Sequence, residues 1–420
     1  MLMRSVLAAI LTFISAFAMN AADTMQGIFH PSFKTLEVYL ASNRYAPAVV
    51  ALNDPGDKIV ISFDELSEDR RYMRYSLTHC DARWQPEGLV DSEFLDGFNE
   101  GTVDDYAFSE ATLAHYVHYT ITIPNDQMHI TQSGNFLLRV YDESDPDVTL
   151  LQARFGVSDF SADASMSVSS RTDIDSNDAH QQVALSVDTK HIAVNDPFND
   201  IKVVVSQNGR VDNEVVLTTP QRVNGDKLIY EHLLPLIFDA GNEYRRFETV
   251  STSYPGIGIE DISYGNPYYN MTLAVDYPRN HSLYTYDSTQ HGRFLVREVS
   301  SDDSDTQADY VMVHFTLKMP ELPGKELFLD GDFVNRRFDP ASRMVYNRAT
   351  GQYENSMLLK QGAYNYQYLA LPLGETDGST SEVEGNFYQT GNEYVVKIYH
   401  RPKGERFDKL IGITQLTTAN

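Results

Sequence analysis

Few side chains in this 420-residue chain are placed to do covalent chemistry. His79, Cys80 and Asp81 stand side by side, and a thiolate next to an imidazole is an activated nucleophile. Neighbouring residues of a strand point to opposite faces, so His79 and Cys80 would not touch in one. That pattern favours Cys80 as a small buried apolar residue. It is the only cysteine, which excludes an internal disulfide, a cysteine-based zinc site and an iron–sulfur site. His115 and His118 would share a helix face as metal ligands. The alternation of Val117, Tyr119, Ile121 and Ile123 instead sets His118 in a strand, with a solvated or hydrogen-bonded imidazole as the default. Asp142, Glu143, Asp145 and Asp147 gather around Pro146 as calcium ligands would, or as any solvated hairpin tip does. With 59 acidic residues, carboxylate pairs of glycosidase type arise by coincidence. No G-x-S-x-G, H-E-x-x-H, P-loop or dinucleotide fingerprint occurs, and Gly256-Ile257-Gly258 is too short to be one. The expectation is a protein without catalytic residues, cofactor or metal.

The elements that hold these residues read as strands. Period-two alternation recurs throughout: Leu36/Val38/Leu40, Ile59/Ile61/Phe63, Phe136/Leu138/Val140, Val183/Leu185/Val187, Ile201/Val203/Val205, Met271/Leu273/Val275, Val311/Val313/Phe315/Leu317 and Tyr394/Val396/Ile398. Turn signals such as Asn53-Asp54-Pro55-Gly56 and Ser133-Gly134-Asn135 separate them. Only residues 91–98 and 109–115 suggest short helical turns. The 26 Tyr and 21 Phe fit pleated, half-buried surfaces. Residues 159–178, rich in Ser, Asp and Ala, and the acidic stretch 300–309 read as boundaries, the second as a solvated linker. The sequence therefore predicts an all-β chain of tandem immunoglobulin-like β-sandwich domains over residues 25–158, 160–300 and 305–413.

Residues 1–18 read as a cleavable secretory signal: one positive charge at Arg4, an apolar run too short to span a bilayer, and Ala16-Phe17-Ala18 before the cut. No cysteine follows to carry a lipid anchor, and no later stretch is apolar enough to cross a membrane. The mature chain is expected to be soluble beyond the inner membrane. Its formal net charge of -26, with no basic stripe, excludes nucleic acid and anionic membrane faces as partners.

Several segments, in order, resemble one family. They are His79-Cys80-Asp81-Ala82-Arg83-Trp84, Leu95-Asp96-Gly97-Phe98, Tyr116-Val117-His118-Tyr119, Ser133-Gly134-Asn135-Phe136, Gln207-Asn208-Gly209-Arg210, Gly241-Asn242-Glu243-Tyr244-Arg245, Gly391-Asn392-Glu393-Tyr394 and residues 404–412. Together they are similar to the plug protein family of the Bacteroidetes type IX secretion system, across nearly the whole mature chain. The resemblance implies a non-enzymatic periplasmic protein, expected to be monomeric. Its partner would be the outer-membrane secretion translocon barrel, whose periplasmic opening such a plug closes from the inner face of that membrane.

A second resemblance lies near the C-terminus. Gly331-Asp332-Phe333, Met344, Tyr353 and Leu359-Lys360-Gln361-Gly362-Ala363-Tyr364-Asn365-Tyr366 look like the glycogen-binding-like, early-set modules of immunoglobulin type. In those a Trp after the Gly-x-Phe turn stacks on sugar, whereas Arg336 and Arg337 stand there in this chain. The alternative function this implies is a carbohydrate-binding accessory protein with an aromatic platform at Tyr346, Tyr364 and Tyr366. Against it stands the ordinary use of alternating Tyr364, Tyr366 and Tyr368 to fill a sandwich core.

Overall fold

The computed structural model describes residues 24–54 and 56–418; the leader expected over 1–18 lies outside the described residues. Strand accounts for 48% of the structure and helix for 3%, as the alternation requires. Of the two expected helical turns, residues 91–98 supply a single turn at Asp91–Glu93, and 109–115 supply none.

In the first sandwich one sheet runs in the order Gly27–Ile28, Asp145–Ser158, Gly134–Asp142, Met73–Cys80, Gly101–Thr102, with Val49–Ala51 also paired to Asp145–Ser158. It faces a sheet of Phe33–Leu40, Ile59–Glu65, Val117–Ile123 and Asp105–Phe108. The alternating residues behave as their period demands: Ile59, Ile61, Phe63, Val117, Tyr119, Ile121 and Ile123 all enter the core with Phe136 and Phe155. Their neighbours Asp64 and His118, directly opposite each other in register, are left on the outer face.

The other two sandwiches divide the chain differently from the expected boundaries at 160–300 and 305–413. The middle sandwich packs Asp163–Ser169, His180–Asp188, Lys227–Tyr230, Arg222–Asn224 and Ile237–Asp239 against a second sheet. That sheet takes Val215–Leu217 and Ile201–Gln207 together with the chain's last two strands, Glu393–His400 and Lys409–Thr417. The third sandwich is built from residues 245–372, a nine-stranded sheet folded over Phe247, Phe315, Tyr364 and Tyr366. It is thus an insertion into the middle one. Composition could not show this, because the pairing of Val203 with Ile398 joins residues nearly two hundred positions apart and leaves no local trace.

Neither expected boundary is a free linker. Residues 163–169 form an edge strand, and the acidic stretch 300–309 contains the short helix Ser304–Gln307, packed against the first sandwich. There the Asp309 carboxylate accepts the Leu113 and Ala114 N–H groups at 2.8 and 3.0 Å, and the Tyr116 hydroxyl donates to Ala308 O at 2.8 Å.

Candidate docking surface

The residues that invited chemistry are placed apart. Cys80 is fully buried, and burial pushes its thiol up to about 12, so it stays protonated. His79 points away from it, to the Glu87 carboxylate at 2.9 Å and Ser133 O at 3.1 Å. His115 pairs with Glu68 and His118 with Asp64, so the two imidazoles have separate partners. Asp142 and Glu143 are engaged by Arg71 and Arg74. Among the described residues no group of three or more His, Cys, Asp or Glu is arranged to hold a metal ion.

The aromatic platform is absent at the residues expected to form it. Tyr364 is 1% and Tyr366 4% exposed, and only Tyr346 is half-buried. The Tyr364 ring stacks on Phe247 and Phe294 at 4.9 and 5.4 Å. The Tyr366 and Tyr368 hydroxyls donate to one Asp276 oxygen at 2.7 and 2.8 Å. All three alternate tyrosines turn inward, since that face of the strand is the one covered by the opposing layer. At the position where a sugar-stacking ring would stand, Arg336 is buried and holds Asp330, Asp332, the Tyr244 hydroxyl and His291 O.

What the structure concentrates instead is polar bonding between sandwiches. Between the first and third, Lys360 Nζ reaches Asp64 Oδ2 at 2.6 Å and the Tyr310 hydroxyl donates to the same oxygen at 2.7 Å. His118 takes the other Asp64 oxygen, and Thr35 bonds the Tyr310 hydroxyl. Burial alone would push the Asp64 carboxyl up; the Lys360 ammonium and His118 beside it win and hold it below the usual range. Between the first and middle sandwiches, Asp408 accepts from the Ala82 N–H, Lys202 and Arg401, again ending below the ordinary carboxylate range despite burial. Between the middle and third, Arg293 pairs with Glu393 at 2.6 Å, and Arg210 donates to Gly378 O in the segment that returns from the third sandwich. Little in the residue pattern marks these positions: Asp64, His118 and Lys360 sit on outer strand faces and Asp408, Arg210 and Arg293 in connecting segments, where a charge normally means solvent.

Several apolar side chains of the third sandwich are exposed near one hairpin or on the segment that follows it. The Glu248 N–H donates to Ile257 O and the Ala274 N–H to Gly258 O, which brings Ile257 beside Val275. Arg245 donates to Tyr277 O, and Arg246 holds Asp287 next to Tyr286. Tyr254, Ile257, Val275, Tyr277 and Tyr286 are all exposed, Tyr277 and Tyr286 by 60% each. Ile257 and Val275 flank the base of the hairpin formed by Ile259–Gly265, an edge strand of the third sandwich, and Tyr268–Leu273.

The model of the first domain of the type 9 secretion system plug protein matches residues 33–159, which is the first sandwich. A crystal structure of a hypothetical protein from Parabacteroides merdae ATCC 43184 is 41% identical, with a TM-score of 0.92 over 94% of this chain and 99% of that one. This chain belongs to the type 9 secretion system plug protein family. Membership ties it to type IX secretion and to that machinery as its partner. Two further solved structures stand below the level of a shared fold. Pseudomonas fluorescens alkylpurine DNA glycosylase AlkC bound to DNA containing an abasic site analog has a TM-score of 0.18 at 15% identity, over 30% of each chain. The BSP domain of a biofilm associated protein has a TM-score of 0.20 at 9% identity, over 93% of this chain and 60% of that one. A comparison with curated proteins finds no match. Among the described residues no helix is long and apolar enough to cross a membrane.

Proposed function

We propose that this plug-family protein is a non-enzymatic, periplasmic closure for the type IX translocon, docking on the outer-membrane barrel and sealing its inner opening. Family membership supports the setting. The observation that carries the mechanical part is the buried Asp64–Lys360 pair, which with the Asp408 carboxylate accepting the Ala82 N–H and Arg293 pairing with Glu393 joins the three sandwiches as one body. A wide aqueous pore is sealed only by an object that neither deforms nor comes apart at the rim. The exposed apolar side chains that include Ile257 and Tyr277 form the docking face, where stable seating needs about 800 Å² from each partner. Tyrosine suits such a face because it offers contact area at low cost in side-chain entropy. The net charge of -26 keeps the free chain from self-association and draws it toward a basic rim.

The test is affinity capture of the tagged mature chain from detergent-solubilised envelopes of its native host, with mass spectrometry. The expected result is one very large outer-membrane barrel, absent with a mock tag. Capture should fall with Ile257→Asp and Tyr277→Asp and persist with Phe98→Asp, a still more exposed residue on the first sandwich. Recovery of the chain alone overturns the docking; undiminished capture by the Ile257→Asp and Tyr277→Asp variants overturns the face.

A further inference from the structure

Where the three sandwiches meet, a cavity of about 230 Å³ opens beside Trp84, the only tryptophan of the chain. The first sandwich supplies Trp84, Val49 and Arg154, the middle one Glu214, Val395 and Lys397, and the third Arg293, Asn335 and Arg336. Its wall bears five basic side chains against three acids, in a molecule whose surface balance is strongly the reverse. Arg210, Arg293 and Arg336 are engaged by Asp212, Glu393 and Asp330. The Arg154 guanidinium lies 4.5 Å from the centre of the indole and donates to Thr24 O.

Lys397 and Glu214 are different. Lys397 Nζ stands 5.5 Å from the Trp84 ring centre, and among the described residues no hydrogen bond or ion pair holds either it or the Glu214 carboxylate. Burial pushes the lysine down and the glutamate up, each partly offset by the pull of the other across a gap too wide for a direct ion pair. Trp84 itself is held with φ at +61°, a left-handed conformation that a bulky side chain rarely adopts. The Asp81 carboxylate fixes it there by accepting the Arg83 and Gln85 N–H groups at 2.8 Å each. Backbone strain of this kind persists where the placement of the side chain matters.

We propose that this cavity binds a small zwitterion, an α-amino acid with an apolar side chain. The carboxylate is received by Lys397 and the ammonium by Glu214, while the side chain lies against Trp84, Val49 and Val395. The space is below that of drug-sized pockets, which suits a single residue and not a peptide of any length. A ligand seated here touches all three sandwiches at once. The inference stands on the cavity alone and does not depend on docking to a translocon.

The lone tryptophan makes the test direct, because intrinsic indole emission from the full mature chain reports this cavity and nothing else. L-leucine, N-acetyl-L-leucine and L-leucinamide are titrated up to about 10 mM, with calorimetry alongside. A saturable emission change with leucine is expected, with each blocked analogue binding roughly tenfold or more weakly, since each lacks one charge-assisted contact. Lys397→Met and Glu214→Gln should weaken leucine binding by a similar factor, each measured against its own unliganded spectrum. The analogue series on the unaltered chain decides the matter if a variant fails to fold. Absence of saturable signal and heat with leucine, or equal affinity for all three compounds, overturns the proposal.

Discussion

Lys360→Met removes one charge from the most deeply buried ion pair between sandwiches. The lysine side chain is 1% exposed and Asp64 is 0%, so no solvent screening discounts their interaction. Asp64 would keep the Tyr310 hydroxyl and His118, but lose the ammonium that balances its charge. Breaking a buried pair by removing one partner costs about 3–5 kcal/mol, because the remaining charge is stranded. With a urea m-value near the upper end for single domains, about 3 kcal/mol/M, the midpoint of the transition that separates the first and third sandwiches should fall by about 1 M. Asp64→Asn should cost a similar amount. The double variant Asp64→Asn, Lys360→Met strands no charge, so its cost should fall short of the sum by about 1–3 kcal/mol. Urea unfolding of the mature chain followed by circular dichroism measures all four corners of this cycle. A cost below about 1 kcal/mol for Lys360→Met, or strict additivity in the double variant, would refute the claim that this pair locks the junction.

The junctions should also be acid-labile. Asp64, Asp408 and Glu384 each bind a proton less readily folded than unfolded, so their contribution is whole above the unfolded value near pH 4 and is lost as the pH falls through the lower folded values. Thermal scans from pH 7 to pH 2 should show the loss beginning near pH 4, and a melting temperature that rises on acidification would contradict it. Cys80 should resist disulfide reagents at pH 8 in the native chain and yield one thiol in denaturant; rapid native labelling would show that the burial is wrong. Ile257→Asp and Tyr277→Asp, both at exposed positions, should change stability by no more than about 0.5 kcal/mol, and a larger loss in urea unfolding would mean that they pack and do not dock.

Strand alternation made most of the fold legible, because a two-residue period states which side chains meet a core. It placed Val117, Tyr119, Ile121 and Ile123 correctly and left His118 outside. The same period left open whether the face of Tyr364, Tyr366 and Tyr368 meets water or another layer, which only the packed sheet decides. The domain limits were hidden for a related reason. Glu393–His400 reads as a strand wherever it pairs, and its partner Ile201–Gln207 is selected by long-range fit. Lys360 and Asp64 look like ordinary surface charges until the sandwich opposite is in place.

Insertion of the third sandwich into the middle one bears on how such a body can move. Two chain connections link these units, one before Arg245–Glu248 and one before Glu393–His400, and any hinge between them has to bend both at once. The return connection is pinned along its length: Glu384 receives Arg245 and Arg279, and Gln181 of the middle sandwich donates to Tyr388 O and Thr390 O. The first sandwich has a single covalent link, yet Asp64, bonded to Lys360, and Asp408, accepting the Ala82 N–H, tie it to both of the others at separate points. Apolar contacts alone would allow these units to slide. Directional bonds to buried charges penalise every arrangement but one, because sliding strands a carboxylate. A body built this way moves as a unit, so in the docking proposed above its release would be set by contacts on its outer face and not by loosening of the junctions within it.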